Sequence, residues 1–188
     1  MSNFIYRMSS AGDCPKALAA RQLGYEEPLM SDSTKVLLEE ASWQEGRVAQ
    51  TLMNEGYELQ DSGVCIPCLV EFAEERKGIH VELETSLIRL IGHLDRRINI
   101  YGIWYPLEIK SLGRFTFYKF KHKRFEAFQG YSDQETCYLE AEGKPGAYVV
   151  KCRDTGELLK FSVPYNGQPT PQFGEGLELI NSYHHIID

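Results

Sequence analysis

Apolar and polar positions alternate over 90–100 and again over 104–110, with Gly102 between the two runs. Period-two alternation marks strands that bury one face. A glycine between two such runs predicts an antiparallel hairpin. Elsewhere the period is helical. Val36, Leu37, Ala41, Val48, Leu52 and Met53 form an approximate stripe, which predicts a helix over 33–55 closed by Gly56. A shorter helix is expected within 9–25, with Asp13 as N-cap, Pro15 in the first turn and Gly24 at the stop. Residues 63–91 read as mostly β with a turn at Gly78, 126–142 as a helix, and 147–163 as a hairpin turning at 153–156. Pro164, Pro169 and Pro171 make the following segment a loop, and a last short helix is expected over 175–187. His184 and His185 are adjacent there and read as surface residues.

The chain has 188 residues, enough for one domain with a sizeable core. The single domain divides into a mainly helical part over 1–60, a core over 61–165 and a C-terminal loop and helix over 166–188. No apolar run approaches the ~20 residues that span a bilayer. The first residues, MSNFIYRMSS, lack the apolar stretch of a signal peptide, so a cytoplasmic location and no membrane partner are expected. Five cysteines, an odd number, do not read as a secreted disulfide framework. Cys65 and Cys68 form a CxxC, but no second CxxC or histidine pair stands at a familiar spacing to complete a tetrahedral site. With Pro67 between them, they read as two buried or half-buried thiols on an edge strand. Cys14 reads as a structural thiol.

Net charge is −7, so any polyanionic partner must meet a local basic face. One stretch supplies it. Over 110–125, Lys110, Arg114, Lys119, Lys121, Lys123 and Arg124 are uninterrupted by acids and interleave with Phe115, Phe117, Tyr118, Phe120 and Phe125. Cations of this kind attract phosphates, and aromatic faces can stack on unpaired bases. A solvated basic loop over a core aromatic cluster explains the pattern equally well.

The candidate chemistry lies just before that stretch. Glu108 and Lys110 are two apart on one strand and share a face, while Ile109 points into the core. The hairpin brings Asp95 beside Glu108. Two carboxylates suit a hard divalent cation completed by water, and an ammonium between them can hold a nucleophilic water or steady a charged transition state. A solvated ion pair is the plainer reading of the same spacing. Glu45 lies mid-helix beside Gly46, where the missing side chain would allow another segment to approach. Gln134 and Tyr138 share a helix face, placed to hold a phosphate, a base edge or a carboxylate, or simply to form a surface pair.

In this order, Glu45, Gly92 with Asp95, Glu108 with Lys110, and Gln134 with Tyr138 resemble the PD-(D/E)XK nuclease superfamily. The likeness is to the RecB-like branch, which includes phage recombination exonucleases and CRISPR adaptation exonucleases. The start, Cys14-Pro15-Lys16 through Leu23-Gly24-Tyr25, is similar to the first helix of small RecB-like nucleases, so the resemblance spans roughly 9–163. It implies an α/β (α+β) restriction-endonuclease-like core, a central mixed sheet flanked by helices. It implies a DNA exonuclease, with single-strand or structure-specific endonuclease and a silent nucleic-acid-binding fold as alternatives. It implies Mg²⁺ or Mn²⁺ held by Asp95, Glu108, the Ile109 carbonyl and Glu45, with Lys110 on the water and Gln134 and Tyr138 in support. DNA is the implied partner, through Arg114, Lys119, Lys121, Lys123, Arg124, Phe117 and Tyr118. A homo-oligomer or a recombination protein is a further possible partner. Many relatives carry a His four residues after the helix glycine, where this chain has Gln50. Iron–sulfur relatives carry one Cys near the start and three after the QxxxY helix. Here Cys14 fits the first, but only Cys152 follows Tyr138, which argues against a cluster.

Overall fold

The computed structural model describes residues 4–25, 29–60, 63–72, 76–84 and 88–173. The helix expected over 175–187, with His184 and His185, lies outside them.

The elements run β1 (Phe4–Arg7), a 3-10 turn, α1 (Pro15–Gln22), α2 (Asp32–Asn54), β2 (Glu58–Gln60), α3 (Ile66–Phe72), β3 (Ile79–Glu84), β4 (Ile88–Leu94), β5 (Arg96–Ile100) and β6 (Ile103–Leu112). They continue with α4 (Arg114–Lys123), a 3-10 turn, α5 (Gln129–Glu142), β7 (Gly146–Cys152) and β8 (Leu158–Val163). The fold is α/β, with two mixed sheets flanked by helices. One sheet has the order β2-β5-β6-β7-β8 and the other β1-β4-β3. The expected run over 90–100 is therefore two strands. The chain leaves the small sheet at Leu94, bends at Asp95 and enters the large sheet at Arg96.

The hairpin predicted at Gly102 forms, with Tyr101 and Gly102 both at positive φ (53° and 85°), as a twist-matched two-residue turn requires. β6 and β7 pair in parallel, which demands a crossover, and α4 and α5 supply it. Side-chain alternation then sorts the two faces of the large sheet. Leu107, Ile109, Ala147 and Val149 pack under α2 through Val48, Ala49 and Leu52. Leu112, Tyr148, Val150 and Cys152 pack under α4 and α5 through Phe117, Phe120 and Leu139. Glu108 and Lys110 have the parity of Leu112, so they lie on the face covered by α5.

Several local expectations change. The CxxC is not on an edge strand, because Ile66–Phe72 is helical. Pro67 stands in the first turn of α3, where its missing N–H leaves no bond unmade. α1 is capped at Cys14, not Asp13, and Asp13 instead pairs with Arg21 at 2.7 Å. In α2 the stripe is buried only in its second half. Val36, Leu37 and Met53 are exposed, whereas Val48 and Leu52 are core. A Cβ at Gly46 would meet no described atom within 4 Å, so no described segment uses the space beside it. Gln50 is exposed and donates to Asn54 at 3.1 Å.

The basic aromatic stretch forms α4 and the turn after it, with Phe117, Phe120 and Phe125 buried. Phe117 is 0% exposed, so its ring is core and it leaves the set of candidate DNA contacts. Phe115, two positions earlier, is 86% exposed. Phe117→Ala should cost about 3–5 kcal/mol of stability by cavity formation, while Phe115→Ala should leave it within about 0.5 kcal/mol. Urea unfolding of the two variants checks the assignment, and equal midpoints would refute it.

Candidate active site

Four elements deliver the candidate residues to one place. The β5–β6 register sets Arg96 against Leu107, so the preceding residue, Asp95, comes opposite Glu108. The Asp95 carboxylate accepts the Ile109 N–H at 2.8 Å, which anchors it to the strand that carries Glu108 and Lys110. α5 lies over that strand. The Gln134 amide donates to Glu108 Oε1 at 3.2 Å and to Tyr138 Oη at 3.0 Å, and its oxygen accepts from Lys110 Nζ at 3.3 Å. Tyr138 Oη donates to the His93 carbonyl at 3.0 Å. Gln134 and Tyr138 are therefore not a surface pair. They tie β4 to the buried carboxylate.

Gly92 makes this approach possible. A Cβ there would fall 2.5 Å from both Met8 Sδ and Tyr138 Cε1. A side chain at position 92 would push α5 away from the strand three residues before Asp95.

Glu108 is 3% exposed. Its Oε1 accepts from Lys110 and Gln134, while Oε2 has no hydrogen-bond partner. Burial, then the neighbouring Asp95 charge, pushes its pKa up to about 8. Glu45, on α2, interacts with the group through the charges of Asp95 and Lys110, though it does not line the cleft that holds them. Burial and then Asp95 push its pKa up to about 7. Burial also raises Asp95, against the pull of Lys110. For Lys110, burial works to lower the pKa, but the Glu108 and Asp95 charges outweigh it and the net shift is upward. Lys110 is thus a cation, poised above the Tyr131 ring at 5.6 Å.

Three carboxylates held above their ordinary range, one with a bare buried oxygen, form a donor set suited to a hard cation. Among the described residues their oxygens do not close into a tight cage within 4.8 Å, so much of such an ion's shell would be water.

The site opens into a cavity of about 500 Å³ lined by Asp95, Glu108, Lys110, Gln134 and Tyr138, and also by Arg7, Arg76 and Lys77. Sequence reasoning missed these last three. Arg7 ends a short N-terminal strand, and the Arg76-Lys77 pair stands just before the Gly78 turn. Nothing in their local pattern announces a cleft, because the small sheet brings them there. Also missed was Glu135, 3% exposed, whose pKa burial and the Glu108 charge raise well above the usual range.

The residues of α4 divide. Arg114, Lys119 and Lys123 are exposed around a second, largely apolar cavity of about 540 Å³ that also includes Phe115 and Tyr118. Lys121 pairs with Glu157 at 2.5 Å, and Tyr118 donates to the same carboxylate at 3.3 Å. Arg124 is half-buried against the Phe161 ring at 4.9 Å, so it closes the core more than it faces solvent.

No family model and no curated protein matches the chain. Solved structures do match. The alkaline exonuclease LHK-Exo from Laribacter hongkongensis superposes with a TM-score of 0.55 at 10% identity, over 85% of this chain and 76% of that one. SSO0001 superposes with a TM-score of 0.50 at 10% identity, over 87% and 68%. At such identity the likeness is one of fold, and the mixed-sheet α/β architecture described above is the shared feature. Among the described residues, no helix is long and apolar enough to cross a membrane.

Proposed function

We propose that this chain is a Mg²⁺- or Mn²⁺-dependent deoxyribonuclease that hydrolyses DNA from its ends. The observation that carries the reading is the bare, buried Glu108 oxygen beside Asp95 and a cationic Lys110, in a cleft edged by Arg7, Arg76 and Lys77. That such a site sits on the fold of an alkaline exonuclease favours ends over internal cleavage.

Asp95, Glu108 and Glu45 would hold the ion, with the Ile109 carbonyl as a further oxygen ligand. When bound, it supplies a more acidic water and a counter-charge for the phosphate. The protein's own groups do the rest. The Arg7, Arg76 and Lys77 side chains orient the phosphodiester at the mouth of the cleft. Lys110, held by Glu108 and Gln134, donates a hydrogen bond where negative charge develops; with its raised pKa it stabilises charge and does not abstract a proton. Gln134 and Tyr138 fix the Glu108 rotamer and the end of β4.

The test is a supercoiled plasmid and an end-labelled linear duplex, each incubated with Mg²⁺, Mn²⁺ or EDTA. Shortening of the linear DNA from one end, with the plasmid intact and EDTA abolishing the reaction, is the expected result. Nicking or linearisation of the plasmid would make it an endonuclease. Binding without cleavage under every metal would reduce it to a silent fold.

Proton linkage gives an independent prediction. Glu108 and Glu45 rise from ordinary values of 4.5 to about 8 and about 7 on folding. The folded chain therefore holds protons that the unfolded chain has released. The stability this provides is complete below about pH 4.5 and is lost as pH climbs through 8. The Tm of protein free of Mg²⁺ and Mn²⁺, prepared without chelator, should fall across that window. Added Mn²⁺ should raise it more at pH 8.5 than at pH 6, because the ion takes the ionised carboxylates. A Mn²⁺ shift that is larger at pH 6 would contradict this site.

Charge reversal at Lys119, Lys121 and Lys123 tests the DNA path. If α4 meets phosphate, the triple Glu variant should weaken DNA binding and flatten its log–log salt dependence by roughly 0.7–0.9 per lost contact. Lys121 is already neutralised by Glu157, so we expect two contacts, not three. An unchanged slope would put the path over Arg7, Arg76 and Lys77 alone.

A further inference from the structure

The geometry points to a mononuclear, structural Zn²⁺ site formed by Cys65, Cys68, His80 and His93, on the small sheet beside the candidate active site. The inference does not depend on the nuclease reading.

One ligand atom from each of these residues lies within 4.8 Å of the other three. Cys65 Sγ is 3.4 Å from His80 Nδ1, Cys68 Sγ is 3.8 Å from the same nitrogen, and Cys68 Sγ is 3.2 Å from His93 Nε2. A tetrahedral ion with Zn–S of about 2.3 Å and Zn–N of about 2.0 Å sets its ligands roughly 3.3–3.8 Å apart. Those three separations, 3.4, 3.8 and 3.2 Å, match that spacing, and all four donors lie close enough together to close on one ion. Two thiolates and two neutral imidazoles balance a divalent charge, and an S₂N₂ tetrahedron is a zinc or iron–sulfur donor set. A two-iron cluster would place two irons and bridging sulfides between the cysteine pair and the histidine pair. His80 Nδ1 lies too close to both sulfurs for that.

The fold explains how sequence-distant residues meet. His80 and His93 are directly opposed across the β3–β4 ladder, so their rings share a face, 5.6 Å apart. The start of α3 presents Cys65 and Cys68 to that face, and both are buried, at 4% and 2% exposure. Cys65 N–H bonds the Arg76 carbonyl at 2.7 Å, which ties the helix start to the hairpin. Gly78, at φ +122°, allows the closure, because a Cβ there would fall 2.6 Å from His93 Cβ.

Supporting groups are in place as well. The Cys68 N–H points at Cys65 Sγ at 3.5 Å, as suits a thiolate. His80 directs Nδ1 at the sulfurs and donates through Nε2 to Glu82 at 2.6 Å, and Glu82 is gripped by Arg89 at 2.6 and 3.1 Å. A carboxylate behind a histidine fixes ring and tautomer, as in many metal sites. The ion would pin α3 to β3 and β4. Because β4 runs from His93 to the bend at Asp95, it would also fix the strand that delivers a cleft carboxylate.

The experiment uses the full chain, without a polyhistidine tag, purified without chelator. Elemental analysis should find about one zinc per chain. After zinc is stripped and Co²⁺ added, the wild type should show the visible bands of tetrahedral cobalt and a thiolate charge-transfer band. Chelation should lower Tm and zinc should restore it. In Cys65→Ser with His80→Ala the zinc content should drop to under about a tenth, whereas Cys152→Ser should keep it. If the double variant does not fold, the wild-type cobalt spectrum decides. The proposal is overturned by zinc-supplemented protein that binds none, by a cobalt spectrum lacking the thiolate band, by iron with inorganic sulfide in place of zinc, or by full zinc content in the double variant.

Discussion

Glu108→Gln should abolish cleavage while making the metal-free protein more stable at alkaline pH. Gln keeps the shape of Glu108 and can still accept from Lys110 and Gln134 at its oxygen. It loses the bare anionic oxygen that a hard cation requires. The single-turnover rate should fall about a thousandfold, near 4 kcal/mol of transition-state stabilisation. Mn²⁺ affinity, read by calorimetry, should fall with it. The stability effect separates this loss from misfolding. Wild type must ionise a carboxyl whose folded pKa is about 8, against 4.5 unfolded, and the Gln variant has nothing to ionise. The two Tm values should agree near pH 5 and diverge by pH 8.5, with the variant higher. Asp95→Asn should lose cleavage similarly, but its amide cannot serve the Ile109 N–H with the same charge, so no stability gain is expected. Near-wild-type cleavage by either variant would remove the site assignment.

Much of this site was legible because it depends on local periodicity. The Glu108–Ile109–Lys110 alternation fixes which side chains share a face, and the Gly102 turn fixes a register that puts Asp95 opposite Glu108. The helical spacing of Gln134 and Tyr138 predicts their common direction, though not that both would serve the buried carboxylate. What the sequence hid is tertiary. Asp95 belongs to a bend between two sheets, and alternation across 90–100 looks the same whether one strand or two carry it. Phe117 and Phe115 read alike in a basic aromatic run, and only the helical phase of α4 separates core from surface. The CxxC seemed isolated because its histidines stand 12 and 25 positions beyond Cys68 and meet through strand pairing, not through a compact motif. Arg7, Arg76 and Lys77 became rim residues in the same way.

The charge distribution of the cleft also bears on how a chain of net −7 would meet the polyanion proposed as its substrate. Three carboxylates at the site are pushed toward their neutral forms and so present less repulsion than their count suggests. A divalent ion would reverse the local sign altogether. DNA affinity should therefore depend on Mg²⁺ or Mn²⁺ as well as on the basic rim, and binding and metal loading should be coupled.

Lys110→Met should lower the single-turnover rate by about 10²–10³-fold with little change in DNA affinity, because its charge acts where the transition state is more negative than the substrate. Methionine keeps most of the apolar stem, so packing over Tyr131 survives. Gln134 still holds Glu108 Oε1 through its amide. Removing the ammonium also removes the strongest pull on the carboxylates toward ionisation, so Glu108 should rise further and metal affinity at neutral pH should fall. The comparison is therefore made at pH 8.5 and saturating Mn²⁺, where both proteins carry the ion. Under those conditions a rate loss that persists belongs to Lys110 itself. A rate restored by metal and pH would show that Lys110 acts only by keeping Glu108 charged. A large loss of DNA affinity at an unchanged single-turnover rate would make it a phosphate anchor, with the chemical role passing to Arg7, Arg76 or Lys77 at the mouth of the same cleft.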